Sequence, residues 1–217
     1  MGTITRNAAN NFTTGGVILP AAINDTSVAS ISELENVAAG GAMTLISEQT
    51  ASGSASISFT SGIDSTYPIY YFEIINIHAQ NDIVDFKLSF TTDGINFNAT
   101  QTSTFLGAYH AESDAYAGIS YYSGEDVAQS SPAGLADNLG ADDDQSFSGT
   151  LTLFNPSSTT FVKHWLCKNS YGEANALNSG YQAGYVNTTN AVTGVRFQMA
   201  SGNIDSGTIK LYGISGS

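Results

Sequence analysis

Residues Val84–Gly94 read VDFKLSFTTDG, and the alternation within them decides the fold class. Phe86, Leu88 and Phe90 fall on one face of an extended chain and Lys87 and Ser89 on the other, because successive strand side chains point to opposite sides. Asp93-Gly94 then supplies a turn, since Asp bonds its own backbone and Gly reaches the angles a tight reversal needs. The same period recurs in SASISFT, with Ala55, Ile57 and Phe59 together, and in VTGVRFQMA, with Val195, Phe197 and Met199 together. SFSGTLTLF, TFVKHWLCK and YQAGYVN repeat it at short intervals, punctuated by Asn155-Pro156-Ser157-Ser158, Gly172, Gly180 and Ser201-Gly202-Asn203. YPIYYFEIINI is apolar on both faces, the pattern of a central strand covered on both sides. In the closing run MASGNIDSGTIKLYGIS, Met199–Ser215, the loop Ser201–Ser206 reverses the chain and Ile209 and Leu211 return, which predicts a hairpin. Only SSPAGLADNLG suggests a helical turn, with Pro132 near its start and Gly140 just past its end. About eight to ten strands without βα alternation predict an all-β protein, an antiparallel jelly-roll-like β-sandwich.

The first 45 residues break this pattern. They lack aromatic residues apart from Phe12, and their apolar side chains come in short isolated clusters. Such text cannot bury enough surface to fold alone, so residues 1–45 are expected to form an extended N-terminal arm laid against something else, and residues 46–217 the β module. SVASISELENVAAGG could add a short helix to the arm, with Val28, Ile31 and Leu34 three apart and Gly40-Gly41 as a stop.

Composition narrows the function. Charged residues are only 12% of the 217, so Ser, Thr, Asn and Gly must supply much of the polar surface. Six Lys+Arg stand against 19 Asp+Glu, a formal charge of −13. Nucleic-acid binding needs clustered bases to neutralise phosphates, and Arg6, Lys87, Lys163, Lys168, Arg196 and Lys210 are scattered singly. That argues against nucleic acid and against an anionic membrane surface. A single cysteine, Cys167, excludes an intramolecular disulfide and a cysteine-based zinc site, and its strand-like flanks predict a buried, inert thiol. No charged n-region with an apolar run opens the chain and no apolar stretch of about 20 residues occurs, so a soluble protein made without a secretory signal is expected.

Candidate chemistry is sparse. Asp142, Asp143 and Asp144 are the calcium candidates, but adjacent carboxylates repel by only ~1 kcal/mol per pair in water, so a solvated loop explains them as well. His110, Glu112 and Asp114 would share one face of a strand, yet no nucleophile motif such as G-x-S-x-G accompanies them. The expectation is a non-enzymatic protein with no cofactor. The aromatic supply is richer, with 11 Tyr and 11 Phe. Tyr109, Tyr116, Tyr121, Tyr122, Tyr171, Tyr181 and Tyr185 cluster in loop-like text and suit a subunit interface, a glycan contact or the plugging of core edges, because Tyr joins apolar area to a polar tip.

FEIINIH (Phe72–His78), VDFKLSFTTDG, LFNPSSTTFVKHW (Leu153–Trp165), AGYVNTTNAV (Ala183–Val192) and GNIDSGTIKLYGI (Gly202–Ile214) together resemble virion structural proteins of marine tailed bacteriophages, of the cyanophage and pelagiphage type. The resemblance spans roughly Leu45 to Ile214, and the closing string is its most specific part. It implies a virion component without enzymatic activity: a tail or fibre piece, or a capsid decoration, made in the host cytoplasm and carried on the extracellular particle. It further implies a homotrimer, with other virion proteins met through residues 1–45. The alternative is a carbohydrate-binding adhesin module that recognises a host-surface glycan for attachment.

Overall fold

A computed structural model of the protein describes residues 43–215. They form thirteen strands: β1 (Met43–Ser54), β2 (Ile57–Phe59), β3 (Ile69–Ala79), β4 (Val84–Thr91), β5 (Gln101–Ala111), β6 (Ala117–Tyr121), β7 (Ala128–Ser130), β8 (Ala133–Leu139), β9 (Phe147–Phe154), β10 (Lys163–Glu173), β11 (Ala176–Val186), β12 (Gly194–Met199) and β13 (Ile204–Ile214). The fold is all-β, with every pairing antiparallel and no helix among the described residues. Nine strands build one sheet in the order β1-β13-β3-β9-β10-β11-β5-β6, with β7 also on β5; four build the other, β2-β12-β4-β8. The count exceeds expectation because β1, β5, β6 and β7 fall outside the strings whose alternation marks them as strands, and β8 reads as a helical turn. β1 begins at Met43, so residues 43–45, assigned to the arm from sequence, belong to the sheet. The arm's expected helix lies outside the described residues.

The two sheets share one core. Phe86, Leu88, Phe90, Val195 and Phe197 are fully buried and Met199 nearly so, as their alternation predicts. Phe72 of the large sheet meets Phe197 and Phe59 of the small one at ring-centroid distances of 5.6 and 5.4 Å; Phe86 meets Phe147 at 5.0 Å and Phe90 meets Trp165 at 6.4 Å. Such edge-on or tilted pairs add about 0.5–1.5 kcal/mol each beyond the area they bury. Buried amides stitch the sheets as well: Asn169 Nδ2 and Gln182 Nε2 both donate to the Leu135 carbonyl (2.8 and 2.9 Å), and Gln101 Nε2 donates to the Leu88 carbonyl (3.1 Å).

Three expectations need correction. The closing run is no hairpin: β12 pairs with β2 and β4 in the small sheet, whereas β13 pairs with β1 and β3 in the large one. The turn around Gly202 carries the chain across the core rather than back along one sheet, because Met199 and Ile204 must both face inward from opposite layers. SSPAGLADNLG forms no helical turn; Pro132, after a cis peptide bond, opens β8, whose Ala133, Leu135, Ala136 and Leu139 are buried. β3 lies centrally between β13 and β9, yet only one face is closed: Tyr70, Phe72, Ile74 and Ile77 are buried while Ile69, Tyr71, Glu73 and Ile75 remain half-exposed. Among the described residues its outer apolar side chains are covered by neighbours in the same sheet, with Tyr71 against Tyr212 at 6.4 Å, and not by a third layer.

Candidate functional site

The large sheet is longer than its partner, and β8, the edge of the small sheet, lies over β10, β11 and β5. At this end the inward face opens into a cavity of about 260 Å³ lined by Tyr109, Tyr116, Tyr122, Asp137, Glu173, Ala174, Ala176 and Asn178. Two glycines seat its aromatic walls. A Cβ at Gly118 of β6 would lie 2.7 Å from the Tyr109 hydroxyl, and one at Gly107 of β5 would strike the Tyr122 ring, so each ring rests on bare backbone. Tyr122 also packs on Phe105 with centroids 4.8 Å apart, and Tyr109 leans on the exposed Tyr116 at 6.2 Å. Behind them Asn178, almost fully buried, donates from Nδ2 to Glu173 (3.0 Å) and accepts from the Tyr122 hydroxyl (3.4 Å).

Asp137 enters from β8, where the register with β4 shifts and Asn138 adopts φ 54°, so that the strand departs from strict alternation: Ala133 to Ala136 are all buried and Asp137 is half-exposed. It stands between two acidic groupings. Toward β4 its carboxylate lies within 4.8 Å of those of Asp85 and Glu125. Lys87 is shared there, 2.6 Å from Glu125 and 3.1 Å from Asp85. Burial pushes the Glu125 carboxyl up to about 7, with the Lys87 ion pair pulling the other way. A Cβ at Gly134 would collide with this carboxylate, so glycine there makes its room. On the cavity side, burial raises Asp137 and Glu173 above the ordinary carboxylate range, the negative charge of Asp85 adding to the first and that of Asp137 to the second. Tyr122 is raised too, by burial and then by Glu173 and Asp137.

The sequence candidates scatter. Of the seven tyrosines, Tyr109, Tyr121, Tyr171, Tyr181 and Tyr185 lie on strands rather than loops, so the loop-like reading is corrected for them: Gly and Ser beside them make strand text resemble loop text. Tyr109, Tyr116 and Tyr122 converge on the cavity. Tyr171 is a core residue whose hydroxyl accepts from the Asp137 amide (3.2 Å), which removes it from any surface role. Tyr121 and Tyr181 are exposed on the outer face, and Tyr185 tilts toward His164 at 6.0 Å. Asp142, Asp143 and Asp144 are all exposed, and the carboxylates that do converge, Asp85, Glu125 and Asp137, are different ones. Asp144 and Glu112 line one shallow groove with Ser146 and Ser170. His110, Glu112 and Asp114 do not share a strand face, because β5 ends at Ala111 and Asp114 turns away at φ 60°; the His110–Asp114 pair, 3.3 Å apart, is solvent-exposed. Cys167 is buried on β10, its thiol pushed up to about 12 by burial. Asp93 accepts from the amides of Ile95 and Asn96, so its turn is closed by hydrogen bonds alone.

Sequence reasoning missed Asp137, Glu173 and Asn178, which reach one place only through long-range pairing. The legible signal was Gly107 and Gly118 at inward strand positions beside tyrosines, where a side chain would otherwise be expected to fill the core. No family model, curated protein or solved structure matches this chain.

Proposed function

We propose that the protein is a non-enzymatic virion structural protein: a jelly-roll-like β-sandwich that assembles with copies of itself, as a trimer, and docks on a phage particle as a tail or fibre component or a capsid decoration. The phage assignment rests on the resemblance of the five strings, and the docking segment is residues 1–45. The single observation that carries the assembly reading is the outer face of the nine-stranded sheet. Thr150, Lys168, Tyr181, Leu106 and Tyr121 stand directly opposite one another across β9, β10, β11, β5 and β6. Leu166 and Ile119 flank this row, and Leu106, Tyr121, Leu166, Tyr181 and Ile119 are 49–77% exposed. Isolated exposed apolar residues are ordinary, whereas a contiguous sheet face of them marks an interaction surface. On a chain of −13, this row itself contains no carboxylate and one base, with Asp126 on the Tyr121 hydroxyl and Glu73 opposite Thr150 at its two ends, so contact between copies there is mainly apolar and hydrogen-bonded.

The test is mass in solution and place in the particle. Sedimentation of the full chain should give three times 22.6 kDa, and the double variant Leu106→Asp/Tyr181→Asp should give the monomer while staying folded. A wild-type monomer at micromolar concentration would remove the assembly reading, and absence of the chain from purified virions the phage reading. A second reading, the carbohydrate-binding adhesin, is favoured by a groove of about 250 Å³ on the same outer face. There Tyr185, His164, Thr102 and Thr104 set aromatic and hydroxyl groups around Ala183, chemistry that suits a sugar face. Glycan-array binding lost in Tyr185→Ala would select it.

A further inference from the structure

The tyrosine cavity at the β5–β6 end has a chemistry that neither reading uses. Its walls are the rings of Tyr109, Tyr116 and Tyr122, and its polar groups include two half-buried carboxylates, Asp137 and Glu173. No base lines it. Lys87, the base whose charge acts on Asp137, is held by Glu125 and Asp85. The other described bases are engaged elsewhere: Lys163 on the Thr188 carbonyl, Lys168 over Tyr181, Arg196 over Phe97, and Lys210 beside Glu48. An apolar ligand would leave two carboxylates desolvated and facing each other's field, and an anion would be repelled by both. A neutral sugar would gain hydrogen bonds and stacking yet leave the repulsion in place. An ammonium group satisfies all of it, since tyrosine faces present negative electrostatic potential and the carboxylates supply compensating charge.

We propose that this cavity binds an alkylated or primary ammonium group, with Tyr109, Tyr116 and Tyr122 against the cationic carbons and Asp137 and Glu173 as counter-charges. The same chemistry has two sources, a free small amine or a lysine side chain presented by a partner protein. The Tyr122 and Tyr109 rings are seated on Gly107 and Gly118, and Tyr116 leans on Tyr109, so two of the three walls are formed before a ligand arrives and less ordering opposes binding. Both carboxylates have raised proton affinity in the empty cavity, so cation binding should expel protons and weaken as the medium is acidified. The groups that face them in that titration are Asp85, Lys87, Glu125, Tyr109, Tyr122 and Tyr171.

The experiment is calorimetric titration of the full chain with choline, with Nα-acetyl-lysine methylamide and with glucose as the neutral arm. Saturable binding is expected for at least one ammonium probe, weakened roughly tenfold or more by Tyr116→Ala and by Glu173→Gln. Tyr116 is 54% exposed, so its replacement leaves the fold intact, and Gln at 173 can still accept from Asn178. Binding of choline alone selects a free amine; binding of the lysine amide selects a partner side chain. The proposal is overturned by no saturation with either probe, by affinity unchanged in both variants, or by glucose binding as tightly as the ammonium. None of these outcomes bears on the assembly reading, whose row lies on the opposite face of the sheet.

Discussion

Beneath the four-stranded sheet the inward face of the large sheet is closed by rings and aliphatics: Phe72, Leu151, Leu153 and Trp165 show no exposed surface. Toward β6 the inward positions carry Tyr109 over Gly118 instead, and they face Asp137 and Glu173 across a cavity. Both regions obey one alternation rule, and both place every second side chain inward. The difference is the cover, since four strands cannot roof nine. Where the roof is complete the sequence offers Phe, and where it ends it offers Tyr and carboxylates, side chains that tolerate partial hydration. Stability and binding capacity are thereby assigned to opposite ends of one sheet.

The largest expected effect lies under the roof. Phe197 touches Phe72 at 5.6 Å and Phe86 at 6.0 Å, so Phe197→Ala should remove about 3–5 kcal/mol from unfolding, through lost transfer energy and an unfilled cavity. Urea denaturation measures it. A loss below about 1 kcal/mol would mean that the sheets do not close on each other there, and the comparison would fail at its firmer end.

Next is the margin between the regions, where Glu125 sits. Its carboxyl has a folded value of about 7 against an ordinary 4.5, so the folded state binds the proton more tightly than the unfolded one. The penalty is therefore full above pH ~7, fades as pH falls toward ~4.5, and is absent below that. Stability should rise by roughly 2–3 kcal/mol on going from pH 8 to 5, with Asp137 and Glu173 pushing the same way. Glu125→Gln should flatten this rise. Thermal melts across that range decide it; stability that instead falls steadily from pH 8 to 5 would show that the Lys87 pair outweighs burial.

How much of this was readable before the structure follows from the range of each interaction. The Phe86/Leu88/Phe90 and Val195/Phe197/Met199 faces were legible because alternation is local. Which sheet a strand joins is not local, and the text Ser201-Gly202-Asn203 serves a crossing between layers as well as a hairpin. β8 was illegible for another reason: Pro132 near its start and Gly140 just past its end imitate the punctuation of a helical turn, whereas the strand is set by its pairing with β4, which is not local. The site was half legible. Tyr109, Tyr116 and Tyr122 stand out by type, but Asp137 and Glu173 look like any of 19 acids until β8 and β10 bring them together.

A smaller effect is expected where the two sheets are stitched by polar groups. Gln182→Ala removes a bond to the Leu135 carbonyl and takes from Asn169 its 3.0 Å acceptor. Because the Leu135 carbonyl keeps its bond from Asn169, the cost should be about 1–3 kcal/mol in urea denaturation, less than for Phe197→Ala. A larger loss would show that the amides, and not the rings, hold the roof.

The smallest expected effect is at the open end. Tyr116 is 54% exposed and meets Tyr109 only at the cavity mouth, so Tyr116→Ala deletes little buried area and should change unfolding by no more than about 0.5 kcal/mol. A folded β-sheet has no thermodynamic need for an aromatic there, so stability and ammonium binding are separable at this residue. The informative result is the pairing of measurements on one variant: unfolding unchanged, ammonium affinity lost. If instead Tyr116→Ala destabilises the protein as Phe197→Ala does, Tyr116 belongs to the core, the roof extends over the cavity, and the two ends of the sheet are one region after all.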